Sequence, residues 1–217
     1  MRILTSSSIS QKRLSSRHVS AAAENIAAAQ FAMHGFDVLE QGVQTRYFYD
    51  LGVANSGGMM KVNVHGSQRG FWNPVDSYLY KGSQSRLPAD YHHAINRWLE
   101  RQGVKVMHCL VQLETTDLTQ MPRMYLATAQ EISSRLHESV ETLGDAALYE
   151  EYELEDSSGR HTVETLPSQW RFSHERIADL MEKPESKDLG FRFSEAAGCT
   201  ACATQSVADL NRLPMVN

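Results

Sequence analysis

The sequence predicts an α/β fold, with a mixed central sheet flanked by helices. Three observations predict it. Residues on either side of Asn55-Ser56-Gly57-Gly58 alternate as strands do around a tight turn. The segment Val104 to Leu113 is strongly apolar, as a buried strand is, and helical periods flank these strand-like stretches.

Taken in order, residues 1–19 contain no Asp or Glu but carry Arg2, Lys12, Arg13 and Arg17 among many serines. They read as a flexible basic arm, because no apolar face of the transit-peptide kind is present. Ser20 can cap a helix over Ala21–His34, a stretch of strong helix formers that Gly35 stops. Ala22, Ile26, Ala29 and Met33 fall on one face of this helix, and Glu24 near its start suits the helix dipole. Phe36–Leu39 reads as a strand. Arg46–Val53 and Met59–His65 read as the arms of a hairpin, the second with Met60, Val62 and Val64 on one face and Lys61, Asn63 and His65 on the other. Gly66–Pro88 reads as a loop, Tyr91–Arg101 as a helix and Arg123–Ala127 as a strand. Thr128–Leu143 is a helix with Ile132, Leu136 and Val140 four residues apart. From Gly144 the pattern weakens: Tyr149–Asp156 is acidic, His161–Phe172 irregular, and Ser173 caps a short helix over His174–Met181. The organisation is therefore an arm over 1–19, an α/β domain over 20–143 and an acidic C-terminal extension over 144–217.

The 217 residues suit one domain with appendages. With 41% hydrophobic and 22% charged residues the chain can build a core, which excludes disordered and collagen-like classes. The run Ile26–Gly35 is too short to span a bilayer, so no membrane partner is expected. Three cysteines suit a reducing, cytoplasmic setting. The net charge of −5 conceals a division: residues 1–110 hold 12 Lys and Arg against 7 Asp and Glu, and residues 111–217 hold 9 against 19. The first part is thus +5 and the second −10. A basic part can face nucleic acid while an acidic part faces a basic protein; solvated acidic helices and loops explain the second part equally well.

Polar groups meet in one place. Asp50 stands at the end of the second strand, Asn63 and His65 lie two residues apart on one face of the third, and Glu24 sits on the preceding helix. Such a set of oxygens and nitrogens can hold Mg²⁺, and a metal so held can activate water. The carrying segments, AAAENIAAAQFAMHGFDV and YDLGVANSGGMMKVNVHGS, resemble the restriction endonuclease-like, or PD-(D/E)xK, nuclease superfamily. Relatives place a glutamate on the first helix, an acid at the next strand end, and an acid-or-Gln, x, Lys triplet on the following strand. Val106–Leu113 and Pro122–Ala127 are similar to the later core strand and return strand of bacterial members. The resemblance covers roughly residues 18–140 and implies catalytic roles for Glu24, Asp50, Asn63 and His65. It implies Mg²⁺ or Mn²⁺ at Asp50 and Asn63, and nucleic acid, DNA in preference to RNA, as substrate.

Two positions depart from the pattern. Asn63 offers a neutral oxygen where an acid usually stands, and His65 replaces a permanently charged Lys with a group that titrates near neutrality. One reading is a variant metal-dependent nuclease with His65 as base. Another is a catalytically inactive nuclease-fold subunit that binds nucleic acid or a protein, the protein through the acidic extension, or pairs with a second copy of itself. A third is an acidic inhibitor or immunity-type protein. Against each site residue stands a structural role: Glu24 on the dipole, Asp50 bonded within the hairpin, Asn63 and His65 on a solvated face.

Arg69 and Trp72 follow the site strand and suit phosphate contact and base stacking, although the loop's aromatics can equally plug into the core. Lys81 and Arg86 suit phosphates or solvent. His92 and His93 are adjacent on a helix, point apart and are not a metal pair. Cys199-x-x-Cys202 lacks two further ligands at zinc spacing unless His161, His174 or a second chain supplies them, because Cys109 lies on a buried strand. No phosphate-loop, dinucleotide, nucleophile-elbow or HExxH pattern occurs.

Overall fold

A computed structural model describes residues 14–40, 49–79, 88–102, 106–114, 121–155 and 159–182. The helices among them are α1 (Ser16–Met33), α2 (Pro88–Gln102), α3 (Ala129–Leu143) and α4 (His174–Glu182). The strands are β1 (Asp37–Glu40), β2 (Leu51–Asn55), β3 (Gly58–Ser67), β4 (Phe71–Trp72), β5 (Val106–Gln112), β6 (Arg123–Thr128), β7 (Leu148–Tyr149), β8 (Glu151–Glu155) and β9 (His161–Thr165). Short 3₁₀ turns occupy Asp76–Tyr78 and Ser168–Trp170.

Five strands form a mixed sheet in the order β1-β2-β3-β5-β6, with β3 and β5 parallel and the other neighbours antiparallel. The β2–β3 hairpin turns through Ser56 and Gly57, whose amide bonds to Asn55 Oδ1 at 2.8 Å. The β3–β5 crossover runs through α2, as a parallel pair requires. Strand alternation sends Met60, Val62 and Val64 to one face, where they join Ala23, Ala27 and Phe31 of α1 and Ile177 and Leu180 of α4 in a first core. Leu110 and Ala127 face the other way, into a second core with Ile95 and Trp98 of α2 and Ile132, Leu136 and Val140 of α3. The sheet is thus a middle layer between helices. Gly66 marks the closest approach of α1: a Cβ there would stand 2.8 Å from both Ala23 Cβ and the Val19 carbonyl oxygen.

The structure corrects several expectations. Helix α1 starts earlier, capped by Ser15, whose Oγ accepts from the His18 amide. Glu24 is therefore well inside the helix, away from the N-terminal dipole. The buried stripe of α1 is Val19, Ala23, Ala27 and Phe31, while Met33 is 76% exposed. Alanines fit either face, so the bulk of Phe31 sets the rotation. Asp50 precedes β2 instead of ending a strand. Thr128 is the N-cap of α3 in a capping box with Glu131. The region beyond Leu143 is not a pure appendage: Leu148, Leu166 and Trp170 fill the second core. The stretch read as loop after Gly66 contains the end of β3 and all of β4, which pairs with β7. Of the segment read as irregular, His161–Phe172, the first five residues form β9 in a hairpin with β8. Residues 1–13 of the basic arm, and 183–217 of the extension, lie outside the described residues.

Two networks satisfy the buried charges of Glu150 and Arg176. Glu150 accepts two bonds from Arg123 (2.6 and 2.8 Å) and one from the Tyr125 hydroxyl (2.7 Å), tying β6 to the segment after β7. Arg176 of α4 donates to the Leu126 carbonyl and to both oxygens of Glu131. This bond set fastens α4 to the sheet and to the first turn of α3.

Candidate functional site

The site is built on the end of β3 furthest from the hairpin turn. Val62 and Leu51 are paired there, and the chain enters β2 at Asp50. The Asp50 amide donates to the Val62 carbonyl at 2.9 Å. Its Oδ2 accepts from the Val64 amide at 2.7 Å, so the carboxylate satisfies a ladder donor just where β2 has not yet begun. This is the hairpin role weighed for Asp50 from sequence. Oδ1 has no protein partner among the described residues.

Asn63 and His65 share the face opposite α1 and are partly exposed. The His65 ring turns to β5: its Nε2 lies 2.9 Å from Nδ1 of His108, with the rings stacked at 5.2 Å. His108 is fully buried and packs against Trp98 at 5.3 Å, and its Nε2 has no partner among the described residues. The parallel register explains the meeting, since Asn63 is level with His108 and His65 stands one strand-period further along the same face. Burial holds His65 below the usual imidazole range, against the opposing pull of Asp50. Burial, and then the proximity of His65, push His108 well below it. Both rings are therefore neutral near pH 7 and share a single N–H···N bond.

The remaining sequence-predicted residues separate. Glu24 rides on α1, which packs on the Val62–Val64 face, while Asn63 and His65 point to the other. Its Oε1 accepts from the Ser20 hydroxyl at 3.1 Å. Trp72 takes the core alternative: it is 4% exposed and its Nε1 donates to the His65 carbonyl at 2.9 Å. Strand alternation in β4 turns its neighbour Phe71 outward, 40% exposed and 5.7 Å from the Tyr149 ring. Arg69 is exposed, on a turn held by Ser67 Oγ, which accepts from the amides of Arg69 and Phe71 at 3.1 Å each. Lys61, on the Asn63 face, lies over the Tyr49 ring at 5.1 Å. Lys81, Arg86, Cys199 and Cys202 fall outside the described residues.

His108 is the neighbour that sequence reading missed, and of the loop's two aromatics it is Phe71, not Trp72, that faces outward. No local signal marks His108, 43 residues from His65, and the Phe-Trp pair alone does not say which ring faces out.

The donors for a metal are thin. Asp50 offers one uncommitted carboxylate oxygen and Asn63 one neutral amide oxygen, and His65 is turned to His108. Among the described residues no three His, Cys, Asp or Glu side chains gather as a metal-holding group. Mg²⁺ is held by carboxylates and substrate phosphates with several retained waters, and this donor set does not fit an ion bound by the protein itself. Among the described residues no helix is long and apolar enough to cross a membrane. Comparisons with protein-family models, with curated proteins and with solved structures returned no match.

Proposed function

We propose that this chain is a nuclease-like domain that binds nucleic acid, DNA in preference to RNA, without hydrolysing it. The observation that carries this reading is the commitment of the two groups hydrolysis would need. Asp50 spends one of its two carboxylate oxygens on the Val64 amide, and His65 turns its Nε2, one of two ring nitrogens, to the buried His108. A general base needs a free lone pair within reach of water, and a metal needs more than one anionic oxygen. The likeness to the PD-(D/E)xK plan is supported by the order of helix, hairpin, triplet strand, crossover helix, later core strand and return strand. Binding is supported by the exposed Arg69 and Phe71 on a turn braced by Ser67, which suit a phosphate and a base face. Any Mg²⁺ or Mn²⁺ at Asp50 would rest chiefly on phosphates brought by the ligand.

Fluorescence anisotropy with labelled duplex and single-stranded DNA, and with RNA, over a salt series tests the reading. Expected are salt-sensitive binding without metal, unchanged binding for Asp50→Ala, and weakening for Arg69→Ala and Phe71→Ala, with a stacking contribution of about 1–3 kcal/mol for Phe71. Cleavage in Mg²⁺ or Mn²⁺ that Asp50→Ala abolishes would overturn it and establish the hydrolytic reading. Failure to bind any nucleic acid would also overturn it.

A further inference from the structure

The turn that carries Arg69 and Phe71 has its backbone pinned from inside. Ser67 Oγ accepts from the amides of Arg69 and Phe71 at 3.1 Å each, and Gln112 Oε1 accepts from the Gly70 amide at 2.6 Å. The Gly70 carbonyl accepts from the Glu150 amide at 2.7 Å. Ser67, Gln112 and Glu150 are all buried. Gly70 has φ +65°, and a Cβ there would stand 3.1 Å from both Cβ and Oε2 of Glu150. Every amide from Arg69 to Phe71 is thus spent within the protein, and none remains to cradle a phosphate. What the turn offers a ligand is two side chains. The Arg69 guanidinium is exposed and has no partner among the described residues, and the Phe71 ring is 40% exposed.

Phe71 is not a solitary ring. In the β4–β7 ribbon it stands opposite Tyr149, while Trp72 stands opposite Leu148. Trp72 and Leu148 enter the second core, so alternation leaves Phe71 and Tyr149 on the outer face. Their centroids are 5.7 Å apart and their planes 32° apart. Tyr149 is itself held: its hydroxyl donates to Asp145 Oδ2 at 3.3 Å, and its ring meets that of Tyr152 edge-on at 6.2 Å. A ring fixed in this way on a pinned backbone loses little further freedom when something flat is laid on it.

From this geometry we infer that the ligand is single-stranded, with an unpaired base stacked on Phe71 beside Tyr149 and a neighbouring phosphate on Arg69. The inference rests on the nucleic-acid reading above and narrows it. Inside a duplex both faces of each base are covered by its neighbours, and a side chain reaches only edges and backbone. A base face is open to an aromatic ring where the base is unpaired. The charges select the same ligand. Residues 67–72 and 145–151 hold one cation, Arg69, against Asp145, Glu150 and Glu151, of which Glu150 is neutralised by Arg123. A duplex presents one phosphate charge for about every 1.7 Å of its axis, so this surface repels its second strand. It accepts one phosphate at Arg69, and stacking carries most of the affinity.

The test is fluorescence anisotropy of the full chain with a short labelled DNA strand, with its perfect duplex, and with that duplex carrying an unpaired, bulged base. Expected is binding of the single strand at least about tenfold tighter than of the duplex, with the bulged duplex between them. The association constant for the strand should fall with salt at a logarithmic slope of about −0.7 to −1.4, one or two phosphates, and Arg69→Ala should flatten it by about 0.7. Phe71→Leu keeps apolar bulk without a stacking face; it should weaken strand binding at least about fivefold and narrow the gap between strand and duplex. Phe71→Trp should bind the strand as well or better, and its added indole emission should be quenched by the strand, which loss of fold would not produce. Circular dichroism checks that each variant folds. Duplex bound as tightly as the strand, a strand-to-duplex ratio unchanged by Phe71→Leu, or unquenched Phe71→Trp emission would each overturn the inference and leave the nucleic-acid reading standing. Failure to bind all three DNAs would overturn both.

Discussion

Gly66→Ala adds one methyl group at the tightest contact between α1 and the sheet. The new Cβ would lie 2.8 Å from Ala23 Cβ, 2.8 Å from the Val19 carbonyl oxygen and 3.0 Å from Val19 Cγ1. Carbon atoms in contact settle at about 3.5–4.0 Å, so α1 has to withdraw by roughly 0.7–1 Å. A helix cannot withdraw at one residue alone. Ala27 and Phe31, packed on the same face, loosen with it. Overpacking of this kind costs about 1–3 kcal/mol. For a domain of this size that is a fall of about 2–4 °C in melting temperature per kcal/mol. Removing the facing methyl does not rescue the variant: Ala23→Gly relieves one contact, leaves the Val19 carbonyl in place, and costs about 1 kcal/mol of helix propensity. Urea titration followed by circular dichroism measures the difference for Gly66→Ala, Ala23→Gly and the double variant. An unfolding midpoint for Gly66→Ala equal to that of the parent would refute the packing argument. So would full recovery in the double variant, since the backbone carbonyl would then not be the obstacle.

Three further outcomes follow from the buried polar and titratable groups. Glu150→Gln leaves a neutral amide facing three donors, and after allowance for the half-exposed Arg123 it should cost about 2–3 kcal/mol in chemical denaturation. A double-mutant cycle with Tyr125→Phe should show coupling; strict additivity would mean that the hydroxyl bond contributes nothing. Cys109 is fully buried and its thiol is pushed well up by burial, so peptide mapping after iodoacetamide treatment should find it unmodified in the native protein and alkylated in urea. The paired imidazoles of His65 and His108 make stability depend on pH. The folded protein holds His65 and His108 below their usual value of 6.5, so the unfolded chain binds more protons as pH falls through that value. Stability is full above about pH 6.5 and declines below it. Urea midpoints at about pH 7.5, 6.5 and 5.5 should decrease in that order, and a flat series would show that the pair stays accessible to protons.

The hairpin was legible because a two-residue turn and strict alternation fix register locally, so the shared face of Asn63 and His65 followed directly. The crossover was not. That His65 meets His108 depends on the register of two parallel strands 43 residues apart, which no local pattern encodes. The role of Asp50 was half legible: its nearness to the Asn63–His65 strand could be read, but its bond to the Val64 amide depends on where β2 begins. The separation of Glu24 from the site followed from the packing of α1 on the Val62–Val64 face of the sheet, a choice of side that the helix's own pattern does not encode. Beyond Leu143 the acidic residues hid a period of two: Tyr152 is buried between the exposed Glu151 and the partly exposed Glu153, and Arg135 of α3 draws the hairpin in by bonding to Tyr152 and Glu164.

The two cores close late in the chain, and this matters while the protein is being made. All five strands of the main sheet have left the ribosome once residue 128 has emerged, yet Trp170, Ile177 and Leu180, which complete its two faces, are still to come. At about 5–20 residues per second the 52 residues from Thr128 to Leu180 take roughly 3–10 s. For that interval both sides of an already paired sheet lack part of their cover. Nascent chains halted with Thr128 but not α4 beyond the exit tunnel should therefore be protease-sensitive and hold chaperones, whereas those halted with α4 beyond it should not. Helix α4, small as it is, sets the moment at which these two faces are covered.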